Sequence, residues 1–171
     1  SGALQRITNT EPVGDFYKLS IRQMNVAPHM TGSAPEQNPP FSIIWSIQEG
    51  NQERLIRQIW LAFRHLQEKD HELIVINNAL PDRITGLLDC LSRRTHRFRV
   101  IHLWRTFMSF PGGNLGARHA VGNALLFWAD HVDYDANIVD HLAGSLEPDR
   151  DIVFPAVINE SGRLIDGYFT S

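Results

Sequence analysis

Four polar groups in this chain follow or flank apolar runs, and each could do chemistry. In "LLFWADHV" the apolar run Leu125 to Ala129 stops at Asp130 and His131, with Asp133 and Asp135 close behind. A carboxylate and an imidazole can together hold a divalent cation, Mn²⁺ more readily than Mg²⁺ because Mn²⁺ accepts nitrogen better. The Asp130 charge must meet water, a metal or a cation, since burying it unpaired is costly. "ELIVINN" ends in Asn77 and Asn78. Each amide carries a donor and an acceptor, and paired Asn residues after a strand also make turns. "FSIIWSIQEG" closes with Ser46 and Glu49. "GNLGARHAVG" sets Asn114 and Arg118 among small residues, and Arg118 is expected at a helix N-terminus. There the backbone N–H groups and the guanidinium would both favour an anion.

The surrounding pattern predicts elements that bring these groups together. "FSIIW" and "ELIVI" are short buried strands, with a helix between them capped by Asn51 and striped by Leu55, Ile59, Ala62, Phe63 and Leu66. Pro81-Asp82 opens a second helix with Ile84, Leu87, Leu88 and Leu91 inward, and "FRVIHL" is a third strand. A glycine-bearing loop, "FPGGNLGARHAVG", is expected to lead into a further helix, and "ALLFWA" to be a fourth strand covered on both faces. "NIVDHLAGSLE" reads as a helix with Ile138, Leu142 and Leu146 inward, "DIVFPAVI" as a fifth strand and "NESGRL" as a turn.

This strand–helix rhythm means βαβ units and a mostly parallel sheet flanked by helices, an α/β doubly wound class. In such sheets ligands bind beyond the carboxyl ends of the strands. The rule places Ser46 to Glu49, Asn77-Asn78, Asn114 to Arg118 and Asp130-His131 on one edge. Residues 1–40 are expected to be an extension, with one short strand in "FYKLSIRQM" and a Pro-rich linker from Asn25 to Pro40. Residues 41–171 form the main domain.

A net charge of −3 gives no general attraction to nucleic acid. No apolar run approaches the roughly 20 residues that span a bilayer. The single Cys90 excludes an intrachain disulfide, as expected of a cytoplasmic, reducing setting.

From Phe41 to about Gly167 the order of motifs resembles the nucleotide-sugar half of family 2 glycosyltransferases, which have the GT-A (Rossmann-like) fold. "FSIIWSIQEGNQERL" stands where that family opens, without its Pro and Tyr. "ELIVINNALPD" matches its second strand, and "GNLGARHAVGNAL" its Gly and Ala-Arg loop. "LLFWADHVDYDANIVDHLAGSLEPDRDIVFPAVINESGRL" follows its metal-motif region in length and pattern. The departure is the Asp-x-Asp motif. Aligned either as Ala129-Asp130-His131 or as Trp128-Ala129-Asp130, it lacks one carboxylate.

The resemblance implies a nucleotide-sugar donor, with UDP-sugar favoured. Ser46, Glu49, Asn77, Asn78, Asn114 and Arg118 would contact the nucleotide. Asp130 and His131 would hold Mn²⁺ or Mg²⁺, with Asp133 or Asp135 as substitutes. The acceptor class (saccharide, lipid-linked or protein) stays open. A carboxylate base, which inverting relatives place beyond Ile158, has no convincing counterpart; Asp166 comes too early in the chain. The alternative implied by the damaged motif is a catalytically inactive binding or interaction module. Nucleotidyl transfer ranks third, because the glycine-and-arginine loop it needs after the first strand is missing.

Overall fold

The computed structural model describes residues 28–48, 50–103, 109–128, 132–145, 157–158 and 164–166. They fall into two compact units, 1–133 and 134–171. The first unit is built on a five-stranded sheet of β1 (His29–Thr31), β2 (Phe41–Ile47), β3 (Glu72–Asn78), β4 (Phe98–Leu103) and β5 (Ala124–Trp128). Its helices are α1 (Gln52–Glu68), α2 (Asp82–Ser92) and α3 (Ser109–His119). The spatial order is β1-β4-β3-β2-β5, with β1 antiparallel to β4 and every other pair parallel.

Every residue of β2 and β3 is buried. Two parallel neighbours and helices on both faces leave such strands no polar face, so runs like "SIIWSI" and "LIVI" are nearly continuous in apolar residues. Asn51 starts α1, its Oδ1 accepting the Arg54 N–H at 3.0 Å. Leu55, Ile59, Ala62, Phe63 and Leu66 of α1 are buried, as are Ile84, Leu88 and Leu91 of α2. These two helices pack together on one face, where Phe63 meets Phe98 edge-on at 5.7 Å. α3 covers the other face, lying on β2 and β3.

Three local expectations give way. The run Phe110 to Gly122 is not a loop before a helix but mostly helix itself, α3, followed directly by β5. Its glycines are there for close packing. A Cβ on Gly116 would lie 2.5 Å from Ile44 Cγ2, and one on Gly112 would lie 3.0 Å from Ser46 Oγ. Within the Pro-rich linker, His29–Thr31 joins the sheet, and Met30 packs on a core of Ile74, Ile76, Ile101 and Leu103. β5 is covered on one face only: Trp128 is buried, while Leu125 and Phe127 are 44% and 57% exposed.

The second unit contains α4 (Ala136–Gly144) and a two-stranded antiparallel sheet of β6 (Val157–Ile158) and β7 (Leu164–Asp166). Of the expected fifth strand, the described residues Val157–Ile158 pair with β7. In α4 the buried residues are Val139 and Leu142, and Ile138, expected inward, is 42% exposed. The Phe16 to Met24 strand, Leu146, all of "DIVFPA" and most of the "NESGRL" turn lie outside the described residues.

Sequence position alone did not reveal a polar clamp at the amino ends of the strands. Glu72 accepts from Ser42 Oγ at 2.6 Å, from the Val121 N–H at 3.1 Å and from Arg99 at 2.6 Å. The Arg99 guanidinium also reaches the His119 carbonyl at 2.7 Å, and the Gly122 N–H donates to Ser42 Oγ at 2.8 Å. Three strands and the turn after α3 are thereby locked together. Both charges are buried, with side-chain exposures of 7% for Arg99 and 0% for Glu72.

Candidate functional site

The chain runs from β2 to β3 to β4 in one direction, then crosses back through α3 to place β5 on the far side of β2. The carboxyl end between β2 and β5 is therefore a topological switch point, where a doubly wound sheet opens a crevice. Ser46 stands at the β2 side of that edge. Its hydroxyl is buried, with no hydrogen-bond partner among the described residues. A buried hydroxyl without a partner costs about 1–3 kcal/mol, so this position asks for one.

Strand register separates the two asparagines. Ser46 pairs with Ile76, so Asn78, two residues on, shares the α3 face with Ser46. Asn77 pairs with Ile47 and His102 and turns to the α2 face. Its amide is fully engaged there. Oδ1 accepts the Leu80 N–H at 2.9 Å, and Nδ2 donates to Thr85 Oγ1 and His102 Nδ1, both at 2.9 Å. Asn77 is thus the turn former, and Asn78, 1% exposed, is the amide on the side of Ser46.

Asn114 and Arg118 are not brought to this edge. Gly112 and Gly116 form the buried stripe of α3, so Asn114 and Arg118 fall on its exposed side. Arg118 sits in the last turn of α3, not at a helix N-terminus. It is about 9 Å along the axis from Gly112, toward the amino ends of the strands. His119 is likewise exposed in that last turn.

Glu49, Asp130 and His131 lie outside the described residues. Among the described residues that flank them, Trp128 Nε1 donates to the Val132 carbonyl at 3.1 Å, and Asp133 pairs with Arg54 of α1 at 2.7 Å. Asp133 is therefore held by a cation. Asp135 caps α4, its Oδ1 accepting from the N–H groups of Asn137 and Ile138. Both substitute carboxylates thus have protein partners, an exposed arginine and a helix end. No three His, Cys, Asp or Glu side chains converge on one point among the described residues. The described residues by themselves therefore offer no divalent-ion site, and the candidate ligands Asp130 and His131 lie outside them.

Sequence reasoning missed His102, which lies beneath Asn77. Nδ1 accepts from Asn77, so the ring proton sits on Nε2 and is donated to Asp89 Oδ1 at 3.0 Å. Burial lowers the His102 pKa from 6.5, and His29 adds to the lowering; Asp89 opposes it by charge and by hydrogen bond. The unfolded chain therefore binds the proton more readily than the folded one. The stability due to neutral His102 is whole above pH 6.5 and is lost as the pH falls through the lower folded-state value. Urea midpoints measured at pH 7.5 and 5.5 should show a drop that His102→Asn reduces; an equal drop in both proteins would remove His102 as a contributor.

Residues 43–166, more than half of the chain, match the family model described as Glycosyl transferase family 2. A comparison with curated proteins finds none that matches. No helix among the described residues is long and apolar enough to cross a membrane.

Proposed function

Because this chain belongs to glycosyltransferase family 2, we propose that the carboxyl edge of β2 and β3 binds the nucleotide of a sugar donor, preferentially UDP, for transfer to an acceptor hydroxyl. The observation that carries the reading is the buried Ser46 hydroxyl, unpartnered among the described residues and on the same sheet face as Asn78, beside the switch point. Uracil presents an imide N–H between two carbonyl oxygens. The Asn78 amide, with one acceptor and two donors, can complement that edge, while a hydroxyl such as Ser46 can donate or accept beside it. Glu49 follows β2 in sequence and joins the proposed contacts on that ground. Asn77 supports the turn, and Asn114 and Arg118, on the outer side of α3, take no part.

Calorimetry on the purified chain tests this reading. UDP is expected to bind more tightly than ADP or GDP, and Asn78→Ala to weaken UDP about 10- to 100-fold by leaving the base edge unpaired. Equal or absent heats for the three nucleotides would leave only the scaffold.

A second reading, a binding module without transfer, is favoured by the engagement of Asp133 with Arg54 and of Asp135 with a helix end. On the first reading Asp130 and His131 hold Mn²⁺, and UDP affinity depends on the ion and falls in Asp130→Asn and His131→Ala. UDP binding indifferent to Mn²⁺ and to both substitutions would select the binding module.

A further inference from the structure

The residue that controls the base-binding turn lies on the opposite sheet face from the proposed base contact. Asn77 Oδ1 accepts the Leu80 N–H, which fixes which end of the amide faces the turn. Nδ2 must then face Thr85 and His102. Thr85 Oγ1 donates in turn to the Leu80 carbonyl at 3.1 Å, so both ends of Leu80 are held. Between Asn78 and Leu80 lies Ala79 at φ 58°, a left-handed conformation that costs a side-chain-bearing residue about 1–2 kcal/mol. Such backbone persists only where its surroundings over-determine it. Here the determinants are Asn77 and Thr85.

We propose that Asn77, His102 and Asp89 form a relay that holds the Asn77–Leu80 turn in the shape presenting Asn78 to its ligand, with His102 required as the neutral tautomer carrying its proton on Nε2. A proton added at Nδ1 would set an N–H against the Asn77 NH₂ group. Flipping the amide relieves that contact but sets the NH₂ group against the Leu80 N–H. No rotamer of Asn77 satisfies both, so the turn loosens when His102 is charged. His102 faces Asp89 from α2, His29 at a ring separation of 6.0 Å and the Thr31 hydroxyl from β1, and the Asn77 amide from β3. Thr31 Oγ1 also donates to Asp89 at 3.3 Å, holding the carboxylate that receives the Nε2 proton. His102 is thus a positioning residue; its consequence for the donor rests on the assignment of Asn78 above, but its effect on the turn does not.

The test reads the turn directly and the donor separately. Nitrogen-15 NMR should show His102 as the Nε2–H tautomer at pH 7.5. Amide exchange at Leu80 should speed up about tenfold, beyond the intrinsic pH effect, as His102 takes its proton. In His102→Asn the side-chain oxygen can replace Nδ1 as acceptor, so Leu80 protection should survive and its extra pH dependence disappear. In His102→Phe the protection should be lost at every pH; should that variant not fold, His102→Asn still decides. UDP affinity should fall about tenfold from pH 7.5 to 5.0 in the parent chain and stay level in His102→Asn. An Nδ1–H tautomer, or Leu80 exchange indifferent to His102, overturns the relay. UDP that fails to bind the parent chain overturns the donor reading instead, with the relay still judged by Leu80.

Discussion

Arg99→Ala is expected to lower the stability of this protein by about 3–5 kcal/mol, the loss typical when one partner of a buried ion pair is removed. Glu72 would then keep its charge in a fully buried position with only Ser42 Oγ and the Val121 N–H as donors. The His119 carbonyl would lose its guanidinium partner. A domain of this kind has about 5–15 kcal/mol in total, so the variant should unfold at markedly lower urea. Glu72→Met combined with Arg99→Met should recover much of the loss, because no charge is then left buried alone. A loss below about 1 kcal/mol for Arg99→Ala would mean that water replaces the guanidinium and that the pair is not a clamp.

The second large effect is expected at Gly116. A Cβ there would meet Ile44 Cγ2 at 2.5 Å and Ile76 Cδ1 at 3.3 Å. The Ile44 methyl hangs on a branched carbon of a fully buried strand residue and has little room to give. Gly116→Val should therefore cost about 1–3 kcal/mol through overpacking, on top of the poor helix propensity of valine. Gly86, midway along α2 with nothing within 4 Å of an added Cβ, is the control. Gly86→Ala should stabilise by about 0.5–1 kcal/mol. Denaturant unfolding of the two variants measures the contrast. If Gly116→Val proved neutral, α3 would have to stand further from the sheet. In that case the Ser46 hydroxyl beneath Gly112 would not be enclosed as described.

The contrast between these glycines explains much of what the sequence could and could not convey. Buried strands and amphipathic helices announce themselves by composition and period, and β2, α1, β3, α2, β4 and β5 were legible that way. The run Ser109 to His119 was not. Its three glycines and a proline oppose helix by propensity, and only packing on Ile44 and Ile76 outweighs that. The i, i+4 spacing of Gly112 and Gly116 was the available sign of a helix pressed close to a sheet. The misreading carried Arg118 with it, since a helix beginning near Asn114 would have put the guanidinium at the wrong end. β1 was hidden because three residues are too few to show alternation. His102 and Asp89 sat in a strand and a helix as unremarked polar residues. Their link to Asn77 depends on register between β3 and β4, which no single segment encodes. The asparagine pair was legible as a pair, and pleat geometry sets its two members on opposite faces of the sheet.

The clamp of Ser42, Glu72 and Arg99 has a consequence for how this protein can change over generations. Ser42 and Ser46 are four residues apart on one strand, roughly 13 Å. Sites that far apart, with no shared partner, lose stability nearly independently. Cohesion is thus concentrated at one rim of the sheet, and the proposed ligand edge at the other draws on a separate reserve. Substitutions at the proposed ligand contacts Ser46 and Asn78 should leave the clamp intact, whereas the rim that holds the strands together should tolerate almost none. A lineage built this way can exchange or lose its chemistry and still inherit a folded chain, and a saturation-mutagenesis survey should show it as one permissive edge and one forbidding edge of a single sheet.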